Sequence, residues 1–266
     1  MFFGTLLVCT AVGGSAFSPA MAGELTHNGQ LTGWTAWNDG AADEVEGGLR
    51  FIPEIRMSGY LPDARELDGL LSLEGYAAEP GGRGNLDLYR AWVRYAGASW
   101  ELRAGRQKIN FGPARMLRTL MWFDRLDLRD PLQLTDGVDG LLYRRYSPDN
   151  ASLWLWGLYG NGRKGLELYQ SDKDEIELGG RYQFPVPRGE VAITGHQRYV
   201  DRDSWAAILP IAPPAFDGCE QRLALDGIWD IGPGVWFEAA ASKLTVNASG
   251  DFWQEYLTVG ADYTFD

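Results

Sequence analysis

Apolar and polar residues alternate along most of the chain, in stretches of about ten residues that turn-forming residues separate. In the stretch 47–58, for example, the odd positions are mainly apolar and most of the charged residues occupy even positions. Because successive side chains of a strand point to opposite faces, each stretch predicts a β-strand with one apolar and one polar face. The pattern predicts about twelve strands, at residues 29–38, 47–58, 67–78, 85–96, 100–111, 137–146, 151–160, 175–184, 190–200, 220–230, 234–244 and 253–265.

The connections between these predicted strands alternate between short and long. Short connections follow the fourth, sixth, eighth and tenth strands, at 97–99, 147–150, 185–189 and 231–233. Long connections follow the fifth, seventh and ninth strands, at 112–136, 161–174 and 201–219. Outer-membrane barrels have short turns at one end and long loops at the other, whereas a soluble sandwich has no reason to alternate. The connection 59–66 is longer than this rule favours, and the loops after the third and eleventh strands, on the long side, are only moderate in length.

Together these patterns predict an all-β fold, a closed antiparallel transmembrane β-barrel of about 12 strands whose longest loop follows the fifth strand. Lipid offers the backbone no hydrogen-bond partner, so such a sheet must close on itself. Tryptophans such as Trp100 and Trp236 lie next to predicted turns, as in the aromatic girdles of these barrels. Asp266 follows a terminal strand that ends in Phe265, so a complete barrel and a piece of a larger one both stay open.

Composition agrees with many strands and turns, because the chain has 34 glycines and 13% of its residues are aromatic. The formal net charge of −12 argues against a nucleic-acid binder, since no basic stripe is present to neutralise phosphates. Arginine outnumbers lysine, which favours geometric recognition of carboxylates and phosphates.

Residues 1–22 are typical of a secretory signal peptide, with an apolar core over 2–12 and a small-residue cleavage motif at 20–22, although no Lys or Arg precedes the core. Its removal leaves Cys219 as the single thiol, so no internal disulfide is expected. We therefore expect one barrel domain over 23–266, exported to the outer membrane. Its expected partners are outer-membrane lipids and lipopolysaccharide, the barrel-assembly machinery and small solutes, with a homo-oligomer left open and no nucleic acid.

Residues 104–112 read Ala-Gly-Arg-Gln-Lys-Ile-Asn-Phe-Gly and residues 136–141 read Asp-Gly-Val-Asp-Gly-Leu, with an Arg- and Trp-containing loop between them. This layout resembles bacterial outer-membrane porins, and among them the alginate-export and related substrate-porin barrels. The resemblance is specific in this part of the chain and elsewhere rests on the rhythm of strands. It implies a solute channel across the outer membrane, in which inward-folded loops form the constriction.

The long loop 112–136 is the candidate constriction, because a loop of this length in a compact domain is usually functional. Its charged candidates are Arg115, Arg118, Asp124, Arg125, Asp127, Arg129 and Asp130. Its apolar positions, Met116, Leu117, Leu120, Met121 and Phe123, predict a short amphipathic turn of helix that needs an apolar surface to rest on. The alternative is a surface loop capped by its own salt bridges, each worth little when exposed.

Charged residues on the polar faces of predicted strands two, four and five predict a ladder that lines the lumen and faces the long loop. Its members are Arg50, Arg56, Arg90, Arg94, Glu101 and Arg103. Arginine geometry favours carboxylate or phosphate solutes. The alternative is an internal salt-bridge network with Glu54, Glu74 and Glu101 that fills the barrel.

No enzyme chemistry is predicted, because the two histidines, His27 and His196, lie outside any nucleophile elbow, zinc-binding helix motif or phosphate loop. His196 is expected to be a polar residue that faces the lumen, and no cofactor or metal site is predicted. The expected function is passive diffusion of small anionic solutes through an outer-membrane channel. The alternatives are a filled structural or adhesion barrel and, less favoured, a soluble periplasmic β-protein that binds a ligand.

Overall fold

The computed structural model describes residues 2–8, 16–18, 23–38, 44–79, 84–115, 117–123, 134–135, 137–162, 170–201, 218–246 and 250–264. The chain divides into two compact units, Met1–Ala98 and Ser99–Asp266. Both units are built from antiparallel strands, and the helical structure of the described residues is a short 3-10 turn at Pro62–Ala64. Within the same residues, no helix is long and apolar enough to cross a membrane.

The first unit is one antiparallel sheet. Its strands are β1 (Phe2–Val8), β2 (Ala16–Ser18), β3 (Gly23–Asn38), β4 (Glu44–Leu61), β5 (Arg65–Glu79) and β6 (Asn85–Gly97). The order across the sheet is β1-β3-β4-β5-β6, and the short β2 pairs with β3. The register of β5 against β6 shifts between Ser72 and Leu73, as at a β-bulge. That residues 1–22 are a signal peptide, and that 23–266 form one domain, stays a prediction.

The second unit is an antiparallel meander in which each strand pairs with the next along the chain. Its strands are β7 (Trp100–Gln107), β8 (Val138–Tyr146), β9 (Ser152–Leu158), β10 (Glu177–Val186), β11 (Gly189–Val200), β12 (Gly218–Asp230), β13 (Gly234–Val246) and β14 (Gly250–Asp262). No described pairing within this unit joins β14 back to β7. Closure into a barrel therefore stays a prediction.

The predicted all-β fold is confirmed, since the described residues from Gly23 onward hold twelve antiparallel strands in the predicted order. The connections of the second unit are long after β7, β9 and β11 and short after β8, β10 and β12. The connection after β13, at 247–249, is also short, so the alternation does not extend to the pair β13 and β14. Asn150, Arg188 and Gly232 in the short turns have φ values of 64°, 63° and 114°, the positive values that reverse a chain tightly. The local turn chemistry thus supports the predicted pairing of neighbouring strands.

The fifth predicted strand, 100–111, is shorter than predicted, because β7 ends at Gln107. The side-chain amide of Gln107 donates to the carbonyls of Arg103 and Gly140, both at 3.2 Å, and closes the end of the ladder. Beyond it, Ile109 and Phe111 are 1% and 6% exposed, because the chain leaves the sheet to bury them elsewhere. The alternating pattern of apolar and polar residues therefore extends beyond Gln107, the last residue of β7.

The sheet of the second unit has one face that carries charged side chains and one that carries aliphatic ones, called here the charged face and the apolar face. Buried residues of the charged face are Glu177, Arg181, Thr194, His196, Arg198, Glu220, Arg222, Asp226 and Glu238. Exposed residues of the apolar face include Leu178, Tyr182, Ile193, Leu223, Leu225, Leu257 and Val259. Arg198 is 0% exposed and Leu223 is 58% exposed, which reverses the usual preference of a protein in water.

The first unit alternates in the same way. Leu49, Phe51, Ile55 and Met57 of β4 are exposed, each near one half, while Arg90 of β6 is 8% exposed. The division of β4 and β6 into an apolar and a polar side therefore agrees with the sequence pattern.

Candidate functional site

Residues 108–115 and 117–123, which follow β7 and include the start of the long loop, lie against the charged face of the second unit and are called here the folded-back segment. The backbone N–H groups of Ala114 and Leu120 donate to the two carboxylate oxygens of Glu238, at 2.9 and 3.0 Å. The hydroxyl oxygens of Thr119 and Thr258 are 2.7 Å apart. Strands β13 and β14 thus hold a segment that leaves the sheet at the end of β7.

Glycine at position 112 permits this close approach. Its φ of +89° lies in the left-handed region that favours glycine. A Cβ at this position would collide with the Glu238 carboxylate. The sequence therefore places its smallest residue where the backbone passes over a buried acid.

Aromatic rings fill the space between the folded-back segment and the sheet. Phe111 stacks on Trp156 with ring centroids 5.8 Å apart, and Phe123 meets Trp156 edge-on at 5.5 Å. These rings belong to a buried cluster with Ile109, Leu120, Trp122, Val138, Leu142, Leu158 and Ala224. Burial stabilises a large apolar side chain by roughly 1.5–3 kcal/mol, so the cluster holds the segment firmly.

Buried ion pairs occupy the charged face near this cluster. Arg181 makes a bidentate salt bridge with Asp226, in which Nη1 donates to Oδ1 at 2.5 Å and Nη2 donates to Oδ2 at 2.8 Å. Glu220 accepts hydrogen bonds from Nε of Arg198 at 2.5 Å and from Nη2 of Arg222 at 2.6 Å. All five side chains are at most 7% exposed, and pairing of this kind offsets the cost of removing charge from water.

His196 links the aromatic cluster to the charged face. The indole N–H of Trp156 donates to Nδ1 of His196 at 3.2 Å, which assigns the ring proton to Nε2. Nε2 lies 3.2 Å from a carboxylate oxygen of Glu177. The histidine therefore lies between a tryptophan and a buried acid on the charged face. That this side chain faces a lumen stays a prediction.

A cavity of about 350 Å³ lies between the folded-back segment and strands β12–β14. Arg118 and Trp122 of the segment line it, and Arg222, Ser242 and Tyr256 line it from the sheet. The guanidinium of Arg222 lies 5.6 Å from the centroid of the Trp122 ring. The cavity therefore combines guanidinium groups with aromatic and apolar surface.

The predicted ladder residues of the first unit take part in ion pairs or ring contacts. Arg50 pairs with Glu74 at 3.0 Å, Arg56 with Glu54 at 3.2 Å, and Arg94 with Asp68 at 2.5 Å and Glu66 at 2.9 Å. Arg90 donates to the carbonyl of Tyr89 at 2.7 Å and lies over its ring. These contacts include two pairings of the predicted internal network, and whether the residues line a pore stays a prediction.

In the second unit, Glu101 stands between two arginines. Its Oε1 lies 3.0 Å from Nη1 of Arg144 and 3.8 Å from Nη2 of Arg103. Glu101 is 5% exposed, so the predicted ladder pair Glu101 and Arg103 lies largely inside the unit.

Of the predicted constriction residues, the structure describes Arg115 and Arg118. Arg115 is exposed, whereas Arg118 donates to the side-chain oxygen of Asn110 and to the carbonyl of Phe111. Asp124, Arg125, Asp127, Arg129 and Asp130 lie outside the described residues.

The predicted amphipathic turn of helix is wrong for residues 117–123, which form turns and bends. These residues nevertheless pack on an apolar surface, as the prediction required, because Leu120, Met121 and Phe123 are buried. Met116 lies outside the described residues, and Leu117 is exposed.

Sequence reasoning missed several residues of the charged face as site candidates: Glu177, Arg181, Arg198, Glu220, Arg222, Asp226 and Glu238. All of them lie in predicted strands that the structure contains, and within each strand they occupy alternate positions. Extending the predicted ladder to the polar faces of the eighth to eleventh strands, beyond strands two, four and five, would have found them.

In the described part of the chain, no group of three or more His, Cys, Asp or Glu side chains is arranged to hold a metal ion. A scan against models of protein families and a search of curated proteins both found no match to this chain.

Proposed function

We propose that the chain is an outer-membrane β-barrel channel for the passive diffusion of small anionic solutes, and that the folded-back segment narrows its lumen. The proposal includes export, closure of the sheet, and contact with outer-membrane lipid and lipopolysaccharide.

The observation that carries this proposal is the reversed polarity of the second unit. Its charged face is buried, while Leu223, Leu225 and Leu257 on the other face are 58%, 45% and 70% exposed. With Ile193 of β11, these exposed aliphatic side chains of β12 and β14 form a surface that water disfavours and lipid accepts. Unpaired strand edges are costly in lipid, which is the physical argument for closure.

The position of the folded-back segment supports the constriction. Its contacts with Glu238 and Thr258 hold it on the charged face, which is the face that would line a lumen. Arg118 and Arg222 beside the cavity supply positive charge at this level. Charge at a narrow point sets ion preference at close range.

A filled barrel without transport is the second candidate, and the buried ion pairs favour it. Arg181 with Asp226, and Glu220 with two arginines, occupy part of the space that an open channel would leave to water. The same pairs are also compatible with a narrow channel, so conductance separates the two candidates.

Membrane placement is tested by fractionating cells and by comparing unheated with boiled samples on a detergent gel. A folded barrel is expected in the outer-membrane fraction and is expected to change migration on boiling. Recovery in the soluble periplasmic fraction would contradict the proposal.

Transport is tested in a planar bilayer with the purified, folded protein. We expect discrete current steps, and under a salt gradient a reversal potential that indicates preference for anions. A folded sample that inserts and gives no steps rejects the channel in favour of the filled barrel.

A further inference from the structure

We propose that protonation of His196 loosens the folded-back segment, so that this part of the protein responds to acid. Histidine is the side chain whose ordinary titration falls between about pH 5 and pH 8. The loosening itself requires no channel. Its consequence for transport, a wider lumen in acid, rests on the proposed function.

The hydrogen bond between Trp156 and His196 requires a neutral histidine. Nδ1 of His196 accepts from the indole N–H at 3.2 Å. An imidazolium carries a proton on both ring nitrogens and accepts no hydrogen bond. Protonation therefore turns two donors toward each other and breaks the bond. Because Trp156 is only 3% exposed, its N–H then lacks both this acceptor and bulk water, which is unfavourable.

This hydrogen bond lies inside the ring packing that holds the folded-back segment. Phe123 meets the His196 ring edge-on with centroids 5.0 Å apart, and the Trp122 centroid lies 6.1 Å from it. Trp156, the donor, stacks on Phe111. Protein interiors are close-packed, so neither His196 nor Trp156 can turn away from the other without displacing rings of the segment. Breaking the bond therefore acts directly on the contacts of the segment.

A buried acid on the neighbouring strand β10 can pair with the protonated ring. A carboxylate oxygen of Glu177 lies 3.2 Å from Nε2 of His196, and both side chains are 1% exposed. A bond from an imidazolium to a carboxylate is stronger than one from a neutral ring. The rings of Trp156 on β9 and of Trp122 and Phe123 on the segment carry no charge. Protonation thus strengthens the contact with Glu177 while it removes the contact with Trp156.

Strand β12 presents positive charge on the opposite side. His196 pairs in register with Arg222, and Arg198 lies two positions further along β11 on the same face. Both arginines form ion pairs with Glu220. Their positive charge repels an imidazolium, whereas Glu177 attracts it. The charges around His196 therefore favour a shift of the protonated ring toward β10.

Spin labels measure the mobility of the segment in the folded protein in detergent. In a background without native thiols, Cys9→Ser and Cys219→Ser, one label is attached through Leu117→Cys, because Leu117 belongs to the segment and is 79% exposed. Between about pH 7.5 and about pH 5, we expect the ratio of mobile to immobile label to rise about tenfold, as the loss of one hydrogen bond allows. An unchanged ratio would overturn the proposal.

Two variants locate the response to this pair of residues. His196→Gln keeps one acceptor and one donor but does not titrate, and Trp156→Phe keeps an aromatic ring but has no N–H. Each is expected to abolish most of the acid response, and Trp156→Phe decides the matter if His196→Gln does not fold. Gln197→Ala is the matched control on the same strand, since Gln197 is exposed on the apolar face, and it should respond as the parent does. A full response in either of the first two variants rejects the proposal.

A second label, attached through Ile231→Cys, controls for general unfolding, because Ile231 is 54% exposed in the turn between β12 and β13. An equal gain of mobility there would show that acid loosens the whole unit, which rejects the proposal. Label mobility does not depend on ionic current. A response of the Leu117 label without conductance would reject the channel and keep the acid response, and conductance without that response would do the reverse. The gel shift on boiling checks that each variant is folded.

Discussion

The carboxylate of Glu238 accepts a hydrogen bond from the backbone N–H of Leu120 at 3.0 Å, although 118 positions separate the two residues. The second oxygen of the same carboxylate accepts from Ala114 at 2.9 Å. One side chain of β13 thus fixes two points of the folded-back segment. Since Glu238 is 0% exposed, water cannot replace either bond without a rearrangement.

Replacing Glu238 by Ala is expected to loosen the folded-back segment. The change removes two hydrogen bonds to a charged acceptor, each worth about 1.5–3 kcal/mol, and leaves two buried N–H groups without partners. Glu238→Gln keeps one acceptor oxygen and should have an intermediate effect. Faster trypsin cleavage after Arg115 and Arg118, and larger current steps in a bilayer, are the measurements.

Glu255→Ala is the control for this prediction, because Glu255 is an exposed acid on the neighbouring strand β14. It should leave both cleavage and conductance as in the parent protein. Equal cleavage of the Glu238 and Glu255 variants would show that the Glu238 bonds do not hold the segment.

Breaking the buried pair of Arg181 and Asp226 is expected to destabilise the protein strongly. Asp226→Ala leaves a guanidinium buried without its partner, which costs about 3–5 kcal/mol. The double change Arg181→Met and Asp226→Leu should cost less than the two single changes together, because no charge is left alone. Urea midpoints of the gel shift measure each variant.

The pair of Lys243 and Asp251, whose side chains are 31% and 43% exposed and whose nitrogen and oxygen are 2.8 Å apart, provides the comparison. Lys243→Met should leave the urea midpoint unchanged, because water solvates both groups. If Asp226→Ala were equally mild, the interior of the folded protein would have to admit water at Arg181.

Replacing Gly112 by Ala is expected to lower stability by about 1–3 kcal/mol, because the backbone has a positive φ and the added methyl group collides with Glu238. Gly195→Ala is the matched control, since a Cβ there meets nothing within 4 Å. Its effect should stay within about 1 kcal/mol. The urea midpoint and the rate of trypsin cleavage report both changes, and equal effects would contradict the close approach of Gly112 to the acid.

Replacing Leu225 by Arg tests the proposed lipid contact. Leu225 is 45% exposed on β12, so in water an arginine there would change stability little. In a bilayer, an arginine at mid-depth costs about 2–4 kcal/mol and less near the interface. We expect less heat-modifiable protein in the outer membrane for Leu225→Arg than for Gln221→Arg, which changes an exposed residue nearer the start of the strand. Equal amounts would argue against lipid contact at Leu225.

The strands were predictable because their information is local. The period-two alternation in 220–230 and 234–244 can be recognised without knowledge of the partner strand. The observed strands β12 and β13 differ from these predicted ranges by two residues at one end each. The local pattern also gave a wrong strand end, because the alternation extends past Gln107, where the chain leaves the sheet.

The site was less predictable because its contacts join distant parts of the chain. Nothing near Glu238 in sequence indicates that it accepts bonds from Ala114 and Leu120. The partner of Arg181 depends on the register that places its strand near Asp226. Alternation shows which residues share a face, whereas the choice of partner needs the pairing of whole strands.

The anchoring of the folded-back segment by Glu238 and Thr258 also sets an order of events in folding. The segment precedes β8 in the chain, but its anchors lie on β13 and β14, the last two strands. Contacts between such distant residues form only after the intervening chain has been brought together, which makes them slow. Docking of the segment is therefore expected to be a late step, with Phe111 and Trp122 exposed until the final strands have paired.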